Sequence, residues 1–296
     1  MSEFPRMKTN SAKAWLLASR PKTLTGAWVP VIIATALAYS DHTFKWQPAI
    51  LCLLFASLMQ IAANFINDLI DFKKGTDRSD RLGPERACAQ GWITPKAMQA
   101  GIAATILTAC TIGLLLLFWG SLWLIAVGVS CVIFAFLYTT VLSYFGLGDL
   151  LVYIFFGFVP VMGTYYVQAG SLTTDTLLCS LSSGLVIDLL LIINNYRDRD
   201  TDRRSGKRTL ISMFGERFGN RQYLLTGILA WGCCIGLIPH HSVWALLLPA
   251  LFLPLHLAVW KEMVSINQGK ALNKVLGKTS RNMFVFALLV SIGLLL

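Results

Sequence analysis

Residues 175–202 read DTLLCSLSSGLVIDLLLIINNYRDRDTD. The first part of this stretch, 175–194, is mostly apolar, and the remainder is polar and rich in Asn, Asp and Arg. A hydrocarbon core about 30 Å thick needs roughly 20 such residues to be crossed by a helix. The stretch therefore predicts a membrane-spanning helix that ends in a cluster of acidic, amide and basic side chains.

The rest of the chain repeats this apolar character. Its 296 residues are 55% hydrophobic and only 14% charged, whereas a soluble domain carries about 25% charged residues. We predict a single domain over residues 1–296, an all-α membrane protein of about nine transmembrane helices. The helices are predicted near 23–40, 49–66, 97–118, 121–141, 149–167, 175–194, 220–238, 243–260 and 281–296.

The basic residues predict the orientation. With the N-terminus in the cytoplasm, the inside segments are 1–22, 67–96, 142–148, 195–221 and 261–281. They contain all of the 25 lysines and arginines except Lys45, as the positive-inside rule requires. The sequence thus predicts a multi-pass protein of the cell (inner) membrane, with the lipid bilayer as a partner. The net charge of +10 follows from this topology and does not indicate a nucleic acid partner.

The acidic residues are concentrated in two of the predicted inside loops. Segments 67–96 and 195–221 contain nine of the 15 acidic residues, although acids contribute little to topology. The pattern Asn-[Asp/Asn]-x-x-Asp occurs at 67–71 and again at 194–198, each time after an even-numbered predicted helix. Such internal symmetry is typical of an ancestral duplication. It predicts two pseudo-repeated bundles around a central cavity, with both segments as active-site loops.

The residue types in these loops suit a metal and a phosphate. Side chains three or four residues apart share a helix face, which groups Asn64, Asp68 and Asp71, and groups Asp198 with Asp202. Carboxylate and amide oxygens without His or Cys favour Mg²⁺. The interleaved lysines and arginines favour diphosphate oxygens. The alternative is a pair of salt-bridged surface loops, which does not explain the repeated spacing.

A diphosphate site at the membrane surface indicates a lipid substrate, with the chain between the helices and the head group at the loops. An allylic polyprenyl diphosphate would ionise to a stabilised cation, and aromatic and apolar walls would exclude water from it.

Three stretches resemble the UbiA superfamily of intramembrane aromatic prenyltransferases, and within it the 1,4-dihydroxy-2-naphthoate polyprenyltransferases of menaquinone synthesis. They are RPKTL (20–24), NDLID (67–71) continuing through KGTD (74–77) to GPER (83–86), and NNYRD (194–198) continuing to GKRTL (206–210). The GLGD turn at 146–149 is similar too. Where the 4-hydroxybenzoate branch has a further Asp, this chain has Gly75, with Asp77 beyond it, as in the naphthoate branch.

The resemblance implies the transfer of a polyprenyl chain to 1,4-dihydroxy-2-naphthoate, with loss of carbon dioxide and diphosphate. It implies Mg²⁺ ligands at Asn67, Asp68, Asp71, Asp77, Asp198 and Asp202, of which Asp68, Asp71, Asp198 and Asp202 are also the candidate catalytic residues. The candidate substrate-binding residues are Arg20, Lys22, Asn64, Lys74, Arg86, Tyr138, Asn194, Asn195, Lys207 and Arg208. Arg20 and Lys22 could meet either the acceptor carboxylate or the diphosphate.

Some alternatives stay open on the sequence alone. The acceptor could be 4-hydroxybenzoate, homogentisate, or a porphyrin or chlorophyll precursor. Asp188, inside a predicted span, is either a polar-paired structural residue or part of the cavity lining, and it is also the feature that favours a secondary transporter. The loop after Tyr138 lacks the Pro and the basic residue common in relatives, so its part in acceptor binding is not indicated.

Overall fold

A computed structural model describes residues 7–75, 82–140 and 146–296, with the side chains of residues 139 and 140 left outside that description. Asp77 also lies outside the described residues. Within the described ranges the protein is all helical, without a strand. The helices, in chain order, are α1 (Ala12–Ser19), α2 (Leu24–Ser40), α3 (Trp46–Lys74), α4 (Pro95–Leu115), α5 (Trp123–Thr140), α6 (Gly148–Val152), α7 (Val159–Ala169), α8 (Thr174–Arg204), α9 (Leu210–Phe214), α10 (Glu216–Gly232), α11 (Trp244–Ala250), α12 (Phe252–Ile266) and α13 (Leu272–Leu295).

The predicted membrane fold is confirmed. Seven stretches of described helix are long and apolar enough to cross a membrane: Ala12–Ser40, Trp46–Lys74, Pro95–Phe118, Gly148–Ala169, Thr174–Arg204, Trp244–Ile266 and Leu272–Leu295. The other two predicted spans correspond to the shorter apolar helix α5 and to α10, which continues as a 3₁₀ helix over Cys233–Leu237. Large apolar side chains such as Phe118, 81% exposed, and Leu122, 76% exposed, face outward. That exterior suits lipid, because soluble monomers rarely expose contiguous apolar surface.

Local signals account for the helix ends. Thr173 caps α8 and exchanges hydrogen bonds with Thr176 in a capping box, which satisfies N–H groups that the first turn leaves free. Thr94 caps α4, where Pro95 occupies the first position. Gly75 ends α3 in the left-handed conformation, with φ of 64°, a geometry that glycine adopts without steric cost.

Both motif helices run further than their apolar stretches. The sequence predicted loops from residue 67 and residue 195, but α3 continues to Lys74 and α8 to Arg204. Asp71 and Asp198 therefore sit on helical turns, and Arg86 and Arg197 compensate their charge. The last span likewise starts at Leu272 rather than at residue 281, since the polar residues 272–282 continue the same helix.

The packing pairs each motif helix with the next span. α3 packs against α4 and α8 against α10, while α2 packs against α13. The main apolar cluster joins α2 to the second half of the chain, and a second cluster joins α1, α3 and α4. Between α6 and α7, Tyr153–Phe158 forms a π-helical turn. Gly157 on this turn faces Gly184 on α8, and a Cβ there would meet backbone atoms of α8 at 2.7–3.1 Å.

Candidate active site

The first motif occupies the last two turns of α3. The Asp71 carboxylate forms an ion pair with Arg86, whose Nη2 lies 2.6 Å from Oδ2. Arg86 is buried, and Asp71 remains 23% exposed at its side chain. A buried guanidinium needs a partner charge. This pair holds the GPER segment against the end of α3.

Asp68, one turn earlier, has both oxygens engaged. Oδ2 accepts the N–H of Ala87 at 2.7 Å, and Oδ1 accepts the N–H of Cys88 at 2.8 Å. The side chain is 1% exposed. Hydrogen bonds to an ionised acceptor are stronger than neutral ones. Asp68 thereby anchors the segment that carries Arg86, and its partners in the structure are backbone groups of this chain.

Asn64, also on α3, anchors the RPKT segment at residues 20–23. Its Nδ2 donates to the carbonyl of Ser19 and to Thr23 Oγ1, both at 2.9 Å. These bonds fix the RPKT segment, in which Arg20 adopts a left-handed φ of 52°. Lys22 on the same segment is exposed. The structure therefore places Arg20 and Lys22 beside α3 through Asn64, itself buried at 4% exposure.

The second motif repeats the acid–arginine arrangement at the end of α8. Arg197 donates two hydrogen bonds to Asp198, from Nε to Oδ1 at 2.8 Å and from Nη2 to Oδ2 at 2.6 Å. Asp202 lies one turn further, with Lys207 Nζ at 3.6 Å from Oδ1. Its Oδ2 is buried and has no hydrogen-bond partner among the described residues. Asn194 is turned back on its own helix, donating to the Leu190 carbonyl at 2.8 Å.

The two motif regions are joined by the start of α13. Arg197 Nη1 donates to Asn273 Oδ1 at 2.8 Å, and Asn273 Nδ2 donates to the Leu82 carbonyl, also at 2.8 Å. Nearby, Arg199 donates to the carbonyl and the side-chain oxygen of Asn267. The turn between α12 and α13 thus braces α8 and connects it to the segment that follows the first motif.

A small cavity of about 10 Å³, room for one water molecule, lies beside the second motif. Three residues singled out from the sequence contribute to its wall: Tyr138, Asn195 and Lys207. Gly146, in the GLGD turn, also lines it with a φ of 75°, and a Cβ there would come within 2.9 Å of the Arg208 carbonyl. The turn before α6 therefore packs directly on the GKRTL segment, where Arg208 itself is exposed.

The donor chemistry fits a hard cation. Within the described ranges, no three side chains of His, Cys, Asp and Glu converge closely enough to hold a metal among themselves. Mg²⁺ usually takes one or two carboxylates, with phosphates and waters completing its shell. Asp71, Asp198 and Asp202 are oxygen donors of that kind, and Oδ2 of Asp202, which has no partner among the described residues, could take a cation. Asn67, half-buried on α3, adds an amide oxygen.

Several supporting residues were not predicted from the sequence. Asn267 and Asn273 lie far along the chain from the groups they bond, so no local pattern marks them. Asp188, by contrast, was noted, and the structure gives it a partner: Tyr153 donates from its hydroxyl to Oδ2 at 3.0 Å. Its Oδ1 has none among the described residues.

Comparison with known proteins agrees with this architecture. The profile of the UbiA prenyltransferase family matches residues 27–288. A 1,4-dihydroxy-2-naphthoate octaprenyltransferase from Escherichia coli (strain K12) is 36% identical, covering 96% of each chain. The apo structure of a UbiA homolog from Aeropyrum pernix K1 superposes with a TM-score of 0.69 at 18% identity, over 92% of this chain and 96% of that one.

A second solved structure has the same fold. The UbiA homolog from Archaeoglobus fulgidus, bound to DMAPP and Mg²⁺, superposes with a TM-score of 0.64 at 13% identity, over 94% of this chain and 99% of that one. The structural likeness concerns the fold, whereas the profile and the relative from E. coli span nearly the whole sequence. The chain belongs to the UbiA prenyltransferase family.

Proposed function

We propose that this protein transfers a polyprenyl group from an allylic polyprenyl diphosphate to 1,4-dihydroxy-2-naphthoate, releasing diphosphate and carbon dioxide and giving a demethylmenaquinol. The observation that carries the proposal is the matched pair of acid–arginine contacts, Asp71 with Arg86 and Asp198 with Arg197, at the ends of two repeated motif helices. The name of the relative from E. coli, at 36% identity, supports the choice of acceptor.

The ion pairs suggest how the donor is bound. In the structure each arginine compensates a carboxylate. When the diphosphate arrives, Arg86 and Arg197 turn their N–H groups to phosphate oxygens, which a guanidinium fork matches well. Lys74, Lys207 and Arg208 add positive charge around the same oxygens. The carboxylates of Asp71 and Asp198 are thereby freed for a cation.

Mg²⁺ is the proposed cofactor, and the oxygen-only donor set supports it. Asn67, Asp71, Asp198 and Asp202 would hold it, with Asp77 contributing from the segment outside the described residues and Asp68 close by. When bound, it supplies charge stabilisation to the leaving diphosphate. The homolog from A. fulgidus was solved with DMAPP and Mg²⁺, which is consistent with this cofactor.

The chain's other contributions are positional. The apolar helices would surround the prenyl chain and exclude water from the allylic cation. The electron-rich naphthalene ring then attacks through the carbon that bears the carboxylate, after which carbon dioxide is lost. Arg20 and Lys22 stay candidates for either substrate, and Asn194 for contact with the donor. Because nearly all basic residues fall on one predicted side, we place the site on the cytoplasmic face of the cell (inner) membrane, with the N-terminus on that side.

A direct assay tests the proposal. Membranes that contain the protein are incubated with labelled allylic diphosphate, Mg²⁺ and one aromatic acid at a time. We expect prenylated naphthoquinol and stoichiometric carbon dioxide with 1,4-dihydroxy-2-naphthoate, and no product after chelation. Product only with 4-hydroxybenzoate or homogentisate would replace the acceptor while keeping the chemistry. Absence of product with every acceptor would contradict prenyl transfer.

A further inference from the structure

The start of α13 carries a row of basic side chains along its outer face. Lys270 comes just before the helix, and Lys274, Lys278 and Arg281 follow at spacings of four, four and three residues. Residues three or four apart lie on the same side of a helix, and all four of these residues are exposed. We call these four residues the basic row.

The opposite side of α13 at the same height is polar but uncharged. The hydroxyl groups of Thr279 and Tyr223 lie 2.8 Å apart, and Asn282 Nδ2 donates to the Leu255 carbonyl at 3.1 Å. Thr279 and Asn282 are both buried. The positive-inside rule governs how many basic residues lie on one side of the membrane, and it does not require them to share one helix face. The arrangement of the basic row therefore needs a separate explanation.

The same face of α13 continues as an apolar surface. Leu288, Ile292 and Leu295 follow Arg281 at helical spacing and are 40%, 47% and 50% exposed. At 1.5 Å per residue, Leu288 lies about 10 Å and Leu295 about 21 Å beyond Arg281. One leaflet contributes about 15 Å to the hydrocarbon core. The face thus combines basic groups at one height with apolar groups over the depth of an acyl chain.

Contacts of α13 place the basic row at the end of the molecule that holds the motif acids. Asn273, next to Lys274, accepts the hydrogen bond from Arg197 Nη1. Further along, Ser280 Oγ lies 2.9 Å from Thr25 Oγ1, just after the RPKT segment. The basic row is therefore level with the candidate active site, but it faces outward from the helices.

A single acid accompanies the basic row. Glu262 on α12 accepts a hydrogen bond from Lys278 Nζ at 2.6 Å, and both side chains are partly exposed. Exposed pairs of this kind are weak, and the ammonium group keeps two further N–H donors. Glu262 is the one acid between residues 261 and 281. A diphosphate with its metal ion would need more carboxylates, whereas a singly charged phosphodiester needs basic groups alone.

We infer that the basic row binds the head group of an anionic phospholipid from the leaflet nearest the motif acids. The phosphate lies between Lys278 and Arg281, and an acyl chain follows Leu288 and Ile292. Basic clusters beside a membrane-spanning helix attract anionic lipids, and the guanidinium group matches phosphate oxygens. The continuous apolar face favours a lipid over a soluble acidic protein. The inference does not depend on the proposed prenyl transfer.

Lipid competition on the purified chain tests this inference. The protein in detergent is titrated with an equal mixture of phosphatidylglycerol and phosphatidylcholine, and the bound lipids are counted by native mass spectrometry. We expect the wild type to retain phosphatidylglycerol preferentially. Each basic residue near a membrane surface strengthens such binding about fivefold, so Lys278→Gln combined with Arg281→Gln should lower phosphatidylglycerol retention at least tenfold. Equal retention of the two lipids by the wild type would overturn the inference.

The matched control neutralises two basic residues elsewhere at the same end of the molecule. Lys13 on α1 and Lys96 on α4 are both exposed, and Lys13→Gln combined with Lys96→Gln should leave lipid retention unchanged. An equal loss in both double variants would indicate diffuse attraction to any basic residue and contradict a site on α13. Both should keep the wild-type Tm without added phospholipid, because the altered side chains project outward.

Glu262→Gln should produce a change of the opposite sign. It removes the acid and releases Lys278, so we expect phosphatidylglycerol retention to rise about fivefold, which a folding defect cannot cause. Unchanged or lower retention would contradict the role of Lys278. Binding of a labelled allylic diphosphate is measured in the same variants. If the double variant at Lys278 and Arg281 loses that ligand and keeps phosphatidylglycerol, the basic row has a different occupant and the inference fails.

Discussion

Arg197 donates a hydrogen bond to Asn273, 76 residues further along the chain, while its other nitrogens hold Asp198. The amide of Asn273 is oriented by its second bond, to the Leu82 carbonyl. One side chain thus fixes the direction from which Arg197 meets Asp198 and connects the second motif to the segment after the first. The position of Asp198, a proposed metal ligand, consequently depends on α13.

Removal of one acid from either motif should abolish turnover. Asp71→Asn or Asp198→Asn keeps the shape of the side chain but removes the charge that the proposed cation needs. We expect kcat/KM to fall by at least 10²–10³, the range measured when one preorganised electrostatic group is lost. The measurement is labelled-product formation at equal amounts of membrane-inserted protein. Asp200→Asn serves as the control, since Asp200 is exposed on the same helix; an equal loss there would argue against specific roles.

Loss of the Asn273 bridge should impair donor binding more than it lowers the stability of the protein. Asn273→Ala removes two hydrogen bonds, each contributing about 0.5–1.5 kcal/mol to stability, and releases Arg197 from its orientation. We expect a KM for the donor diphosphate raised about tenfold and a modest drop in thermal stability. Lys274→Ala, at the exposed neighbouring position, should change neither quantity. An unaltered donor KM in Asn273→Ala would remove it from the positioning role.

Asp68 should act through the loop that it anchors. Its two bonds to the N–H groups of Ala87 and Cys88 keep Cys88 buried at 4% exposure. Asp68→Ala leaves two backbone donors without their acceptor, which costs about 1–3 kcal/mol for each buried group. We expect maleimide labelling of Cys88, followed by peptide mass spectrometry, to accelerate at least tenfold. Unchanged labelling together with lost activity would instead indicate that Asp68 acts directly on the metal.

The contact between the π-helical turn and α8 should tolerate no added methyl group. A Cβ at Gly157 would lie 2.7 Å from the Ser180 carbonyl and 2.9 Å from the Gly184 Cα. Because these are backbone atoms, Gly157→Ala should destabilise the protein by about 1–3 kcal/mol and lower its Tm in detergent. Gly163→Ala is matched, since nothing lies within 4 Å of a Cβ there. Similar Tm values for both variants would contradict this close packing.

The sequence predicted the spans and the pair of motif clusters because both depend on local composition. Apolar length identifies a span, and the repeated spacing identifies Asp71 and Asp198 whatever the tertiary contacts are. It could not predict where α3 and α8 end. The apolar runs stop near residues 66 and 194, but the helices continue, since helical geometry needs backbone hydrogen bonds and not apolar side chains.

The different roles of the first-motif residues could not be predicted from the sequence either. Asn64 and Asp68 share the residue types of their neighbours, and only the contacts with Ser19 and Cys88 mark them as anchors in this structure. Asn273 was missed because its partner Leu82 is 191 residues away. Pairings over such separations leave no periodic signal in a single chain.

The extension of α3 and α8 beyond their apolar runs affects how the substrate reaches the site and how the products leave it. At 1.5 Å per residue, residues 67–74 and 195–204 carry the motif helices about 12 Å and 15 Å past the hydrocarbon-facing part. The reacting end of a lipid can therefore be presented at the height of the head groups while its tail stays among the acyl chains. We therefore expect released diphosphate to reach water without crossing an apolar layer, and the prenylated product to return laterally into the bilayer.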